Sequence, residues 1–215
     1  MPYYLRLMQK DDVSQVTKID REAFPEQWPA PNYQSELRNR LSHYLVACDA
    51  DKAVVKSEVK TSPENNSSGL LSNLKRLFNR NRSSGNEMSP ASEQCIIGFI
   101  GLWILTDEAH ITAIAVRGEC RRQGIGELLL ISAIDLATKL KANIVTLEVR
   151  ASNTVAQSLY AKHGFTQVGV RRGYYMDNRE SALIMSTQSI TSTAFQAQFQ
   201  QLKKINSQKC GAPLQ

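Results

Sequence analysis

The sequence is short of several things, and each shortage closes off a class of protein. Its four cysteines, Cys48, Cys95, Cys120 and Cys210, lie far apart, with no Cys-x-x-Cys and no paired histidine spacing. Neither a zinc site nor a disulfide framework is suggested, so a reducing cytoplasm is the default compartment. No run approaches about 18 apolar residues, and the N-terminus lacks a charged-then-apolar signal. The expectation is a soluble, unexported chain without a membrane span. Internal repeats are lacking too. What is present, 215 residues with 42% hydrophobic content, fits one domain with a sizeable core plus extras.

The most informative stretch is 109–165, which reads as strand, glycine turn, helix, strand, short turn, helix. His110–Val116 is rich in β-branched residues, as in a strand buried on both faces. Arg121-Arg122-Gln123-Gly124-Ile125-Gly126 follows, and then a helical apolar stripe of Leu128, Leu129, Ile131, Ile134, Leu136 and Leu140. Two glycines allow a tight turn where a side chain would block a ligand. A helix starting there presents its unpaired N–H groups and positive dipole end beside two arginines, an arrangement suited to an anion such as a pyrophosphate. The turn lacks the Lys-Ser/Thr of a P-loop and the third glycine of a dinucleotide fold. Read alone, it also fits a plain turn between strand and helix.

The spacing Arg-x-x-Gly-x-Gly after a Val-ending strand resembles the coenzyme A loop of the GCN5-related N-acetyltransferase (GNAT) superfamily. Leu147-Glu148-Val149-Arg150-Ala151-Ser152-Asn153 and Leu159-Tyr160-Ala161-Lys162-His163-Gly164-Phe165 are similar to the RimI group, the ribosomal-protein-alanine N-acetyltransferases. The resemblance covers 96–186 and extends more weakly over 3–49. It implies an α/β GNAT fold: a mixed, mostly antiparallel central sheet with helices on both faces. The strands at 110–116 and 143–149 would run parallel and splay to form the CoA slot. It also implies acetyl-CoA as acetyl donor, gripped by Arg121, Arg122, Gln123, Gly124, Ile125, Gly126 and Glu127. Ile114, Ala115 and Val116 would pair with the pantetheine arm like an added strand, and Asn153 would hydrogen-bond it.

The formal charge of +6 is partly local, because Arg and Lys crowd 75–82, 117–122, 171–172 and 203–209. A basic excess suits CoA phosphates or a site on ribosomal RNA, and equally a basic surface with no partner; no stable nucleic-acid binding is inferred. In chain order, Tyr3–Met8 reads as a first strand, and Asp11 or Asp12 caps a helix with Val13, Val16, Ile19 and Phe24 on one stripe. A second helix is expected over Tyr33–Leu41 and a strand over His43–Cys48. Residues 50–94 are rich in Ser, Asn and Lys and read as a flexible insertion in a single acetyltransferase domain spanning 1–187. Within the insertion, Leu70, Leu71, Leu74, Leu77 and Phe78 share a helical face beside Lys75, Arg76, Arg80 and Arg82. Such a basic amphipathic helix can meet an anionic membrane, RNA or a partner through 70–82, or tuck onto its own domain. Residues 188–215 form a polar tail, with one amphipathic helix through Phe195, Phe199, Leu202 and Ile205.

Acetyl transfer from a thioester to an amine requires a clamped donor, a polarised carbonyl, a neutral amine and a stabilised thiolate. None of these steps needs a metal. Glu148 lies near the end of an apolar strand, where apolar walls would raise its pKa toward neutrality. The strand pattern alone fits either a general base or a structural carboxylate, paired to Arg150 or solvated at the sheet edge; the resemblance implies the base. Tyr160, one helical turn from Ala156, is either a core tyrosine or, by the resemblance, the general acid for the CoA sulfur. Arg171-Arg172-Gly173-Tyr174-Tyr175 resembles Arg-Arg-Asn-Tyr-Tyr in the acceptor wall of the RimI group, which also implies a substrate contact for Trp28. Tyr174 and Tyr175 can equally be strand aromatics, and Trp28 a loop anchor. The implied acceptor is a protein N-terminus, the N-terminal alanine of small-subunit ribosomal protein eighteen. The alternatives are an acetyltransferase for a small amine or lysine, and a non-catalytic CoA-binding module.

Overall fold

A computed structural model describes residues 3–27, 30–54 and 93–210. Trp28, the stretch 70–82 and most of the 50–94 insertion lie outside the described residues. The chain divides into two units, 1–52 with 94–215, and 53–93. The first carries the features described below.

Seven strands form one sheet in the order β1-β2-β3-β4-β5-β7-β6. They are β1 (Tyr3–Leu7), β2 (Ser42–Val54), β3 (Glu93–Leu105), β4 (Glu108–Val116), β5 (Ile144–Arg150), β6 (Phe165–Arg171) and β7 (Ala182–Thr187). The β4–β5 pair is parallel, whereas β1–β2, β3–β4, β5–β7 and β6–β7 are antiparallel. The helices are α1 (Val13–Ala23), α2 (Tyr33–Glu36), α3 (Ile125–Lys139), α4 (Thr154–Lys162) and α5 (Thr193–Cys210).

Strand alternation distributes the helices. Along β2, Tyr44, Val46 and Cys48 pack with Val16 and Ile19 of α1 and Tyr33 of α2. Leu45 and Ala47 point the other way, into a core holding Leu129 and Ile131 of α3, Tyr160 of α4 and Phe199 of α5. Helices therefore cover both faces, and α3 is buried along most of its length because it spans the middle of the sheet. In α5, Phe195 and Phe199 stack at 5.8 Å between ring centroids, and Lys203 pairs with Asp135 of α3 at 2.5 Å.

Two local expectations differ from the structure. Helix α2 stops at Glu36 rather than reaching Leu41. The Asn39 side chain accepts from Leu41 N–H at 3.0 Å, giving the backbone a turn in place of another helical bond. Asp12 occupies the N-cap of α1 without a side-chain capping bond. Its carboxylate is instead held by both Arg6 nitrogens, at 2.6 and 2.8 Å, and by Gln9 N–H at 2.7 Å.

Candidate active site

The site begins where the parallel pair comes apart. β4 and β5 pair from Glu108↔Ile144 to Ile111↔Leu147 and then separate, although β4 runs on to Val116 and β5 to Arg150. β5 stays attached to β7 through Arg150↔Ala182, while β4 stays attached to β3. Thr112 is an extra residue in β4, because Gly101 pairs with Ala113 and Leu102 with Ile111. This bulge bends β4 at the point of separation. The opening is a cavity of about 500 Å³ lined by Ile111–Val116, by Leu147–Arg150 and by Asn153, Ala156 and Tyr160 of the α4 region. That volume is in the range of small-molecule sites, about 300–1,000 Å³.

The glycine turn closes one end. Arg122 and Gly124 adopt left-handed backbone, with φ of 61° and 82°, and Gly124 caps α3. A side chain on Gly126 would meet only Val116 Cγ2, at 3.9 Å, so the glycine leaves the first turn of α3 open toward the slot. That turn's N–H groups have no partner within the helix. Arg121 and Gly126 line the cavity, and Arg121 Nε donates to Val116 O at 3.2 Å. Other side chains of the turn point elsewhere. Ile125 is buried in the core, Gln123 accepts from the Tyr3 hydroxyl, and the Glu127 side chain is drawn to Lys162. Asn153 caps α4 by accepting from Ala156 N–H at 3.1 Å while also lining the cavity.

A second cavity, of about 310 Å³, lies alongside, lined by Tyr33, Glu36, Tyr44, Trp103, His110 and Tyr174. Glu148 and Tyr175 line both cavities. Sequence patterning put apolar walls around Glu148, but polar groups hold it. Oε2 lies 3.0 Å from His110 Nε2, and Oε1 lies 3.2 Å from Arg171 Nη2. The reason is parity: His110 sits opposite Thr146 in the parallel register, so it shares a face with Glu148. Arg150 instead holds Asp177 through both carboxylate oxygens at 3.0 Å and Glu180 at 3.2 Å. Its guanidinium also covers the Tyr175 ring at 3.9 Å. The segment from Gly173 to Glu180 is thereby pinned beside the second cavity.

Burial pushes the Tyr160 phenol well above its ordinary value, with Tyr175 adding to the effect. The hydroxyl has no hydrogen-bond partner among the described residues and belongs to a side chain lining the first cavity. It is a protonated donor with nothing of its own to bond. Burial likewise pushes Tyr175 up to about 12, against the opposing pull of Arg150.

Comparison with known proteins agrees with this geometry. The sequence model of the acetyltransferase (GNAT) family matches residues 68–165. A Bacillus subtilis protein, provisionally named a [ribosomal protein bS18]-alanine N-acetyltransferase, is 32% identical over 182 residues, covering 84% of this chain and 92% of that protein. The chain belongs to the GNAT family. The N-alpha-acetyltransferase of Sulfurisphaera tokodaii is 31% identical over 183 residues, covering 85% of this chain and 91% of that protein. The crystal structure of the ribosomal-protein-S18-alanine N-acetyltransferase from Escherichia coli superposes with a TM-score of 0.61 at 23% identity. It covers 89% of this chain and 97% of its own, and shows that the fold is shared.

As a GNAT enzyme, the protein is an N-acetyltransferase that uses acetyl-CoA as donor. Among the described residues, no group of three or more His, Cys, Asp or Glu could hold a metal ion, and no helix is long and apolar enough to cross a membrane. Sequence reasoning singled out Glu148, Tyr160, Tyr175, Asn153, Arg121, Gly126 and Ile114–Val116, and these line the first cavity. Tyr174 lines the second cavity, and Trp28 lies outside the described residues. The reading missed His110, Glu36, Tyr44 and Trp103. Only the period-two parity of His110 and Glu148 on adjacent parallel strands could have signalled one of them.

Proposed function

We propose that the acceptor is the α-amino group of a protein N-terminus, and that the protein is ribosomal bS18, acetylated on its N-terminal alanine. One observation carries this reading: two cavities share Glu148 and Tyr175, so donor and acceptor can enter from different sides and meet at one carboxylate. The names of the Bacillus subtilis and Sulfurisphaera tokodaii relatives support the choice of an N-terminal amine. So does the Escherichia coli [ribosomal protein bS18]-alanine N-acetyltransferase, 44% identical over 85 residues, which cover 39% of this chain and 57% of that protein. The enzyme would work in the cytoplasm as one catalytic domain over 1–187, with 50–94 inserted and 188–215 as a tail.

In this reading the diphosphate of CoA rests on the N–H groups of Gly124–Glu127, beside Arg121 and Arg122. The pantetheine lies along Ile114–Val116 and takes a hydrogen bond from Asn153. Tyr174, Tyr175 and Trp28 border the acceptor. An α-amino group has an ordinary pKa near ~8, so Glu148 has a modest proton to take, directly or through a water. The amine nitrogen then attacks the thioester carbon, the C–N bond forms and the C–S bond breaks. Tyr160 gives its proton to the departing sulfur. An ammonium loses two protons overall: one ends on CoA and one leaves to solvent.

Mass spectrometry on purified protein tests the reading. A peptide with the bS18 N-terminus should gain one acetyl group at its α-amine in the presence of acetyl-CoA. The same peptide blocked at that amine, a lysine peptide and a polyamine should remain unmodified. Acetylation of the polyamine or lysine peptide instead would overturn it.

A further inference from the structure

Behind Glu148 the side chains continue in a line that leaves both cavities. Glu148 Oε2 meets His110 Nε2 at 3.0 Å, His110 Nδ1 meets Thr146 Oγ1 at 2.9 Å, and the Thr146 hydroxyl meets Glu108 Oε1. The register explains the alignment. Glu108 and His110 on β4, and Thr146 and Glu148 on β5, alternate onto one face of the parallel pair. Thr146 is buried and Glu108 is partly exposed at the start of β4; neither lines either cavity.

The chain is one proton short. Three contacts need three hydrogens, but a neutral imidazole brings one and the threonine hydroxyl another. With both carboxylates ionised and His110 neutral, one contact faces lone pair against lone pair. One added proton satisfies all three contacts, and it can sit at three places. On Glu148, the carboxylic acid donates to Nε2, Nδ1–H to Thr146 and the hydroxyl to Glu108. On His110, both ring nitrogens donate. On Glu108, every bond in the line runs the opposite way. A proton entering at one end thus leaves at the other by reversing the bonds between them, with no heavy atom moving far.

We propose that Glu148, His110, Thr146 and Glu108 form a relay that stores the one proton each acetyl transfer must shed and releases it at the start of β4. This rests on Glu148 as base. When both cavities are filled by substrates, the relay keeps an exit that the substrates do not block. Other charged and titratable groups face its ends: Arg171 at 3.2 Å from Glu148, Tyr175 beside it, Tyr33, Tyr44, Tyr174 and Glu36 in the cavity with His110, and Asp107 next to Glu108 in the chain. His110 also borders the second cavity, so Thr146 and Glu108 are the cleaner test positions.

The test is the pH dependence of kcat and kcat/KM for whichever acceptor the enzyme turns over. Thr146→Val removes the hydroxyl at nearly constant volume and should lower kcat about tenfold, with the KM for acetyl-CoA unchanged. Thr146→Ser, which restores the hydroxyl, should recover most of that loss. Glu108→Gln removes a negative charge that favours the stored proton, so the acid limb of kcat/KM should move to lower pH, by roughly half a unit. As a partly exposed change it tests the relay even if the valine variant fails to fold. Wild-type rates and pH profiles for Thr146→Val and Glu108→Gln, beside a slowed Glu148→Gln, would overturn the relay alone. A valine loss that serine does not restore, with an unmoved Glu108→Gln profile, would do the same. A wild-type rate for Glu148→Gln would remove the base and the relay together.

Discussion

The two cavities that share Glu148 are built by different means. The first is opened by main-chain geometry: a bulged strand, a strand that diverges from it, and the first turn of a helix. Its side chains, such as Ile114, Ala115 and Val149, are mainly apolar filling. The second is made of side chains held by one another. Glu36 Oε2 accepts from Trp103 Nε1 at 3.0 Å and from Ser42 Oγ at 2.7 Å, and Arg150 ties down the loop bearing Tyr174 and Tyr175. A main-chain site can accept the same donor across many sequences, because its contacts need few particular side chains. A side-chain site can be retuned residue by residue, which suits the half of the reaction that differs between GNAT enzymes.

If that division holds, variants on the two sides should fail differently. The largest effect belongs at the junction. Glu148→Gln should lower turnover about 10²–10⁴-fold while calorimetric affinity for acetyl-CoA stays at the wild-type level. Loss of donor binding would instead make Glu148 part of the donor clamp. Next comes Tyr160→Phe, which keeps the buried ring and removes the proton donor. Single-turnover rates should fall about 10²-fold with an unchanged melting temperature. An unchanged rate would leave Tyr160 a packing residue beside Phe165, 5.8 Å away between ring centroids.

Gly126→Leu sharpens the donor side alone. There is room for the side chain at the cavity wall, so the fold should survive. The side chain then occupies the slot, and the KM for acetyl-CoA should rise about tenfold, equivalent to ~1.4 kcal/mol, with the KM for acceptor unmoved. The smallest effect is on the acceptor side. The Ser152 hydroxyl and then its N–H, followed by Arg150 and Asn178, hold the Glu180 carboxyl at about 2, below its ordinary 4.5. The folded protein therefore binds this proton less readily than the unfolded chain, so the stabilisation is present above about 4.5 and fades as pH falls toward 2. Protection of the Ser152 and Tyr175 amides, measured relative to the intrinsic exchange rate at each pH, should fall over that window, and that of the slot-side amides of β4 should not.

The same division explains what could be read from the sequence. Much of the first cavity lies in one continuous stretch, where Gly124, Gly126 and the strand before them announce their geometry through local backbone needs. Glu148, Asn153 and Tyr160 belong to the same stretch and line the same cavity. The second cavity draws on α2, β2, β3 and β4 together, and nothing local marks Glu36, Tyr44 or Trp103 as neighbours. Their meeting depends on strand register and on where α2 ends: past Glu36 the backbone tightens into Arg38 N–H to Ser35 O and Asn39 N–H to Glu36 O bonds, and the Asn39 side chain then accepts from Leu41 N–H. The polar company of Glu148 was hidden for a related reason. Leu147 and Val149 beside it in sequence face the core, while His110 and Arg171 reach it from other strands.

The central claim is that donor and acceptor meet end to end at Glu148. A bisubstrate conjugate, with CoA sulfur joined through an acetyl bridge to the α-amine of an alanine-first peptide, tests it most directly by calorimetry. The account predicts that the conjugate binds at least about 10²-fold more tightly than either CoA or the peptide, because one molecule fills both cavities. A conjugate that binds no more tightly than CoA alone would contradict it.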